Sequence, residues 1–280
     1  MVPSIWTAII MDRPLPEVLR FLHACGWGCF ELSTEHLEAI AKDPSPTARM
    51  DEVTAALREL SATMPQAHAY LHADIAHPDA ARRNADLRLL ERHLDCCAEL
   101  GIRYVVVHPG GRDLATQDDF RRTLERNVDG FTRLADRAGE LGLKIGLENT
   151  LDSRDVHRVF GSMPDELLDL IAKVGSPALG ITFDTSHANV RGLDLGAAIR
   201  QLGPLICCTH ISDNDGSGDQ HRIPGGGTID WPSVMAAFRE IGYQGTLNLE
   251  IPGEEHPQRE LLGIKLPYAS EVAGWLAHRA

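Results

Sequence analysis

The chain has 280 residues, of which 43% are hydrophobic and 24% charged, a composition that can bury a sizeable core and excludes the disordered class. Its formal net charge of −13 disfavours generic nucleic-acid binding, because an acidic surface repels phosphate groups. No apolar run reaches the roughly 18–20 residues of a membrane helix, and residues Met1 to Arg13 lack the pattern of a signal peptide.

The six cysteines form no C-x-x-C pair, and two of their sets are adjacent in sequence. This arrangement suits neither a disulfide framework nor a zinc ribbon. We therefore expect reduced thiols and a cytoplasmic protein.

Short apolar segments alternate with longer amphipathic segments along the whole chain. Eight strands are predicted: Ser4–Ile10, Cys29–Ser33, Gln66–Leu71, Tyr104–His108, Lys144–Glu148, Gly180–Asp184, Cys207–Ile211 and Thr246–Glu250. Apolar residues at helical spacing predict helices over Asp79–Leu100, Phe120–Leu141, Met163–Val174, Leu195–Leu202 and Trp231–Ile241. The tail Glu255–Ala280 is either the last barrel helix or part of a dimer contact.

The repeated strand–helix alternation predicts an α/β protein with a parallel sheet. The length fits one large barrel as comfortably as two small domains, but no linker interrupts the pattern. We therefore predict a single (β/α)8 TIM barrel over residues 1–280. Its active site is expected at the C-terminal ends of the strands.

Six consecutive predicted strands carry a residue of a metal-ligating type. His68 stands near the start of its predicted strand, and His210 lies within its strand. The other strands end at the residue concerned: His108, Glu148, Asp184 and Glu250. Polar side chains that follow apolar runs are unfavourable unless they are paired or bound to a metal. Because strand ends converge in a barrel, the sequence predicts a divalent-metal cluster there.

Three more candidates follow strands: His187, Asp219 and His221, the last two in a loop that continues into a glycine run. Histidine together with carboxylate suits Zn²⁺ or Mn²⁺ better than Ca²⁺. Taken singly, these motifs have structural explanations. Asp184 or Ser186 could cap a helix, and the glycines at 225–227 could form a turn.

These motifs together resemble the xylose isomerase-like TIM-barrel superfamily, which includes endonuclease IV, inosose isomerases and dehydratases, and ketose 3-epimerases. The resemblance runs from about Cys29 to about Gly253. Its motifs surround the nine residues His68, His108, Glu148, Asp184, His187, His210, Asp219, His221 and Glu250.

The resemblance implies two ligand sets. Endonuclease IV binds three zinc ions through nine ligands, and the nine residues just named match them in type. The four ligands of ketose 3-epimerases match Glu148, Asp184, His210 and Glu250. Neither match extends to the surrounding loops. Glu31 to Glu35 form an acidic segment common in the sugar-directed members, where endonuclease IV carries basic and amide residues. The ketose 3-epimerases place an Arg where this chain has His221.

The resemblance implies a sugar or cyclitol isomerase, epimerase or related lyase that uses one to three Mn²⁺ or Zn²⁺ ions. Glu148 and Glu250 would exchange a proton with the substrate through an enediolate, and His187 would bind a substrate oxygen or act as general acid. Arg222, His68 and His108 are candidates for substrate binding, although Arg222 could equally be a solvated loop charge. The expected partner is a carbohydrate-like small molecule. Neither nucleic acid nor a membrane is expected, and the chain could form a homo-oligomer.

Two alternatives remain open from the sequence. A metal-dependent phosphodiesterase resembling endonuclease IV would use two or three ions, with Asp219 and His221 holding an additional one. The acidic charge balance and the altered loops argue against a DNA substrate. A non-catalytic barrel that keeps a structural metal is the other alternative.

Overall fold

The computed structural model describes residues 1–253 and 258–279. Eight parallel strands follow one another around a closed barrel in chain order, and the last strand pairs with the first. The strands are β1 Val2–Trp6, β2 Cys29–Leu32, β3 Thr63–His68, β4 Tyr104–Val107, β5 Lys144–Glu148, β6 Leu179–Asp184, β7 Ile206–Ile211 and β8 Thr246–Leu249. The predicted TIM barrel is confirmed.

The helices of the described residues surround this barrel. They are α1 Leu15–Ala24, α2 Thr34–Ala41, α3 Pro46–Glu59, α4 Ala80–Glu99, α5 Gln117–Glu140, α6 Pro164–Val174, α7 Thr185–Arg191, α8 Leu195–Leu202, α9 Trp231–Glu240 and α10 Leu262–Arg279. Their buried faces join the outward-facing strand residues in one continuous apolar core. No helix among the described residues has both the length and the apolar character needed to cross a membrane.

Local signals set the helix ends. The Thr116 hydroxyl accepts from the Asp119 backbone N–H, and the Asp119 carboxylate accepts from the Thr116 N–H, so this capping box starts α5 at Gln117, three residues before the predicted start. Helix α6 ends at Val174 and is capped by Gly175, whose φ of 65° is a left-handed conformation that glycine adopts without strain.

Two predicted strands are wrong in part. The first was predicted over Ser4–Ile10, but β1 ends at Trp6 and residues Thr7–Ile9 form a 3₁₀ turn. The apolar sequence pattern continues past β1 because Ile9, in this turn, and Ile10, directly after it, are both buried. Burial alone does not distinguish a turn from a strand.

The third strand was predicted over Gln66–Leu71, whereas β3 runs from Thr63 to His68. His68 therefore ends its strand instead of standing near its start. The strand begins earlier because the Thr63 N–H donates to the Gly28 carbonyl at 3.0 Å, which extends the pairing with β2. Directly beyond the strand, the Thr34 hydroxyl donates to the Ala69 carbonyl at 2.5 Å.

The tail forms the last helix of the barrel from Leu262 onward. Leu262, Leu266 and Ala273 are fully buried, and the Trp27 indole N–H donates to the Leu266 carbonyl at 3.2 Å. The first part of the predicted segment, residues 255–257, lies outside the described residues, and the dimer contact stays a prediction.

Candidate metal centre at the carboxyl ends of the strands

Four of the predicted ligands meet at one end of the barrel. Glu148 and Asp184 end β5 and β6, His210 is the fifth residue of β7, and Glu250 directly follows β8. Ligand atoms from all four lie within 4.8 Å of one another. Nδ1 of His210 lies 2.9 Å from Oε1 of Glu148 and 3.2 Å from Oε2 of Glu250. Convergence of parallel strand ends brings these side chains together.

Two oxygens in this group are buried with no hydrogen-bond partner among the described residues: Oδ2 of Asp184 and Oε2 of Glu250. Asp184 also caps α7, because its Oδ1 accepts from the His187 backbone N–H at 2.6 Å. The capping explanation and the ligand explanation of Asp184 are therefore compatible, since each uses a different oxygen. An unpartnered buried carboxylate oxygen is unfavourable unless a cation occupies the space beside it.

The buried carboxylates of this group repel one another. Burial raises the pKa of Asp184 to about 7; His187 opposes this rise, and the carboxylates of Glu250 and Glu148 add to it. Burial also acts to raise the pKa of Glu148, but His210 and His108 hold it well below its usual value. Three buried carboxylates and one imidazole nitrogen are a donor set that fits Mn²⁺ or Zn²⁺.

His68 and His108 form a second group around the same glutamate. Nε2 of His68 lies 3.2 Å, and Nε2 of His108 2.8 Å, from Oε2 of Glu148. Glu148 therefore directs one oxygen to each group. Burial lowers the pKa of His108, which favours the neutral imidazole that ligates metals.

His187, Asp219 and His221 form a third group on the loops that follow β6 and β7. Oδ2 of Asp219 lies 2.9 Å from Nε2 of His221 and 3.4 Å from Nε2 of His187. Burial acts to lower the pKa of His221, but Asp219 and Glu250 raise it to about 9. His187 reaches toward the first group, with Nδ1 3.7 Å from Oε1 of Glu148.

Arg222 contacts the loop that carries it. Its guanidinium donates to Oδ2 of Asp215 at 2.9 Å and to the Gly226 carbonyl at 3.0 Å, and its side chain is 41% exposed. Asp213 stabilises the same loop, accepting from the Trp231 indole N–H at 2.9 Å and the Gly225 N–H at 2.8 Å. The substrate-binding role of Arg222 stays a prediction.

The sequence analysis did not identify Glu31 of β2 as a site residue. It is fully buried, and both its carboxylate oxygens lie 3.1 Å from Nε2 of His210. A signal was present: this carboxylate stands inside the apolar strand Cys29–Leu32, where an unpaired charge would be unfavourable.

A closed barrel whose strand ends gather carboxylates and histidines defines a TIM-barrel protein with a site suited to a divalent metal. The sequence matches the family described as "Xylose isomerase-like TIM barrel" over residues 19–276, and the chain belongs to this family. The resemblance inferred from the motifs is thus confirmed.

Relatives and solved structures agree with this membership. The chain is 28% identical over 184 residues to D-psicose 3-epimerase of Agrobacterium fabrum, covering 63% of this chain and 60% of that protein. It is 27% identical over 169 residues to inosose isomerase of Bacillus velezensis, covering 56% of each. The chain thus matches less than two thirds of the length of these curated relatives. The crystal structure of a D-tagatose 3-epimerase-like protein superposes with a TM-score of 0.80 at 21% identity, covering 99% and 100% of the two chains.

Proposed function

We propose that this protein is a divalent-metal-dependent sugar or cyclitol isomerase or epimerase, or a related lyase, that works by proton transfer between carboxylates and substrate. The observation that carries the proposal is the group of Glu148, Asp184, His210 and Glu250, whose ligand atoms lie within 4.8 Å of one another. Support also comes from the named relatives, which are sugar epimerases and isomerases.

The four residues would hold one Mn²⁺ or Zn²⁺ ion, with additional ligands or further ions at the second and third groups. When bound, the ion polarises a substrate carbonyl and the neighbouring hydroxyl, which acidifies the C–H bond between them. Glu148 and Glu250 come from β5 and β8, which are not neighbours in the barrel. One carboxylate removes the proton from the substrate carbon and the other returns it, so that the configuration or the carbonyl position changes.

The polar groups around the cluster would orient the substrate. His187 is close enough to the cluster to donate a proton to a substrate oxygen or to bind it, and its Nδ1 contacts the Asn149 carbonyl at 2.8 Å. Burial acts to lower the pKa of His187, but Asp184, Asp219 and Glu148 raise it well above the usual value. His68, His108 and Arg222 are proposed substrate contacts.

Solvent deuterium exchange tests the proposal directly. The protein, loaded with Mn²⁺ or Zn²⁺, is incubated in D₂O with a panel of ketoses and inososes, and the sugars are followed by NMR. We expect deuterium at a carbon adjacent to the carbonyl of at least one substrate, together with its isomer or epimer. Product without deuterium would contradict an exchangeable proton intermediate. No exchange and no product across the panel would contradict the sugar-isomerase assignment.

The second candidate function is a metal-dependent phosphodiesterase resembling endonuclease IV. It is favoured by one observation: His68 and His108 approach Oε2 of Glu148, while His210 approaches Oε1. These residues would hold more than one ion, which would supply the hydroxide and charge stabilisation for phosphodiester hydrolysis. Cleavage of a duplex with an abasic site, with three ions bound per chain, would favour this function. One ion per chain and an intact duplex would favour the isomerase.

The partner we propose is a carbohydrate-like small molecule, and the cytoplasm is the proposed location. All six cysteines are free, in agreement with reduced thiols.

A further inference from the structure

Glu31 is a carboxylate enclosed within the barrel, in contact with the proposed ligand His210. It is fully buried, and its partners come from three different strands. The Gln66 side-chain amide donates to Oε2 at 2.7 Å, the Asn248 amide donates to the same oxygen, and Nε2 of His210 lies 3.1 Å from both oxygens. An isolated buried charge is strongly unfavourable, so this network must compensate for it.

The two amides are themselves held in orientation. The Thr246 hydroxyl donates to Oε1 of Gln66 at 2.7 Å, and the Ser4 hydroxyl donates to Oδ1 of Asn248 at 3.0 Å. Because both amide oxygens are engaged, each amide presents its N–H groups to Glu31. The two amides therefore act as donors in this network, and Glu31 acts as their acceptor.

As the acceptor of this network, Glu31 favours a proton on the ring nitrogen of His210 that faces it. The His210 atom facing it is then Nε2–H. The opposite nitrogen, Nδ1, then points to Glu148 and Glu250, at 2.9 and 3.2 Å. Histidines that ligate metals commonly donate their other N–H to a carboxylate, which fixes the ring orientation and raises its basicity.

We propose that Glu31 is a positioning residue: it accepts from Nε2–H of His210 and so fixes the ring with Nδ1 as the metal-ligating atom. This inference rests on the proposed function, because it assigns Glu31 a task toward the ion of that site. Glu31 does not ligate the ion or touch the substrate. It acts only through His210.

Metal affinity is the first test, measured by following the EPR signal of free Mn²⁺ as the full-length protein is titrated. Glu31→Gln preserves the size of the side chain and removes its charge, and Glu35→Gln is the matched control. Glu35 lies four residues further on, at the start of α2, and the same substitution there leaves the contacts of Glu31 and His210 in place. We expect Glu31→Gln to bind Mn²⁺ about 10–100-fold more weakly, as for other partners of ligating histidines, and Glu35→Gln to match the wild type.

A second measurement does not need the metal. In protein labelled with ¹⁵N at histidine, the Nε2–H of His210 should give a downfield proton resonance that exchanges slowly with solvent, assigned by its loss in His210→Asn. In Glu31→Gln and Glu31→Ala this resonance should move upfield or exchange rapidly, because the charged acceptor is gone. Circular dichroism verifies that each variant is folded; if Glu31→Ala does not fold, the isosteric Glu31→Gln carries the comparison.

The possible results distinguish the role of Glu31 from the proposed metal-dependent function. Wild-type protein that binds Mn²⁺, together with a Glu31→Gln variant that binds it equally well, overturns the role of Glu31 and leaves the proposed function standing. Wild-type protein that binds neither Mn²⁺ nor Zn²⁺ overturns the metal-dependent function. In that case the resonance still decides whether Glu31 positions His210, and an unchanged resonance in Glu31→Gln overturns that role as well.

Discussion

Glu148 has the most contacts with other charged groups of the site. One oxygen faces His210 and the other faces His68 and His108, so a change at this residue affects two groups at once. Glu250 has a simpler environment, because its Oε2 lies near Nδ1 of His210 and lacks a hydrogen-bond partner. Both would transfer protons under the proposed function.

At this scale we predict that Glu148→Gln and Glu250→Gln each reduce turnover at least about 10²–10⁴-fold, because an amide cannot accept the substrate proton. Steady-state kinetics on the substrate identified by deuterium exchange measure the effect. Glu140→Gln, at the exposed end of α5, is the control and should retain full turnover. Full activity in both site variants would eliminate the proton-transfer mechanism.

His93 provides a prediction about stability. It is buried in α4, and neither ring nitrogen has a hydrogen-bond partner in the part of the chain that the structure describes. Burial lowers its pKa from 6.5 to about 4, although Glu38 opposes the change. The unfolded chain therefore binds a proton between these pH values and the folded chain does not. The contribution of His93 to stability is fully present above pH 6.5 and is lost as the pH falls toward about 4.

We therefore expect the free energy of unfolding of the wild type to fall between pH 7.5 and pH 5 by roughly 2 kcal/mol more than that of His93→Leu. Urea denaturation at the two pH values measures this difference. The contributions of carboxylates that titrate in both proteins cancel when the two losses of stability are subtracted. An equal fall in the free energy of unfolding of the wild type and of His93→Leu would show that His93 is not protonated on unfolding.

At the scale of elements, the segment between β7 and α9 decides where Asp219 and His221 lie. Residues Asp213 and Arg222 form an antiparallel bridge across it, and Asp213 accepts four N–H groups, from Asn214, Gly225, Ile229 and the Trp231 indole. Gly227 packs so closely that an added Cβ would lie 2.2 Å from the Asn214 carbonyl oxygen. The glycine run is thus a structural turn that holds the third group in place.

Replacing Asp213 with Asn should lower the free energy of unfolding by about 2–4 kcal/mol, because an amide cannot accept from all of these donors and buried N–H groups lose their partner. Thermal or urea denaturation measures the loss. Asp136→Asn, at an exposed position of α5, is the control, and its change should stay below about 1 kcal/mol. Equal losses in the two variants would contradict a special role for Asp213.

At the scale of the whole molecule, the metal centre gathers residues from β5, β6, β7 and β8, so its occupancy should be coupled to folding. Mn²⁺ or Zn²⁺ at about 100 times its Kd should stabilise the fold by about 2.7 kcal/mol and raise Tm by roughly 5–8 °C, and a chelator should reverse the rise. Differential scanning calorimetry measures the shift. Asp184→Asn should reduce it; a shift of the same size in that variant would locate binding elsewhere.

The sequence by itself determined the barrel, the bounds of every strand except β1 and β3 to within one residue, and the residue types at the strand ends. Strand alternation and apolar patterning are local properties of the chain. That local pattern also suffices to list the nine candidates, since strand ends converge in any closed barrel. The single-domain assignment for residues 1–280 and the homo-oligomer stay predictions.

Only the tertiary structure decided how those candidates divide into groups and which further residues support them. Glu31 lies 179 positions from His210, and their contact depends on the stagger of strands around the closed barrel. The same closure gives the two oxygens of Glu148 different partners and leaves one oxygen of Asp184 unpaired. Contacts across the interior of a barrel are set by its geometry, and no short stretch of sequence encodes that geometry.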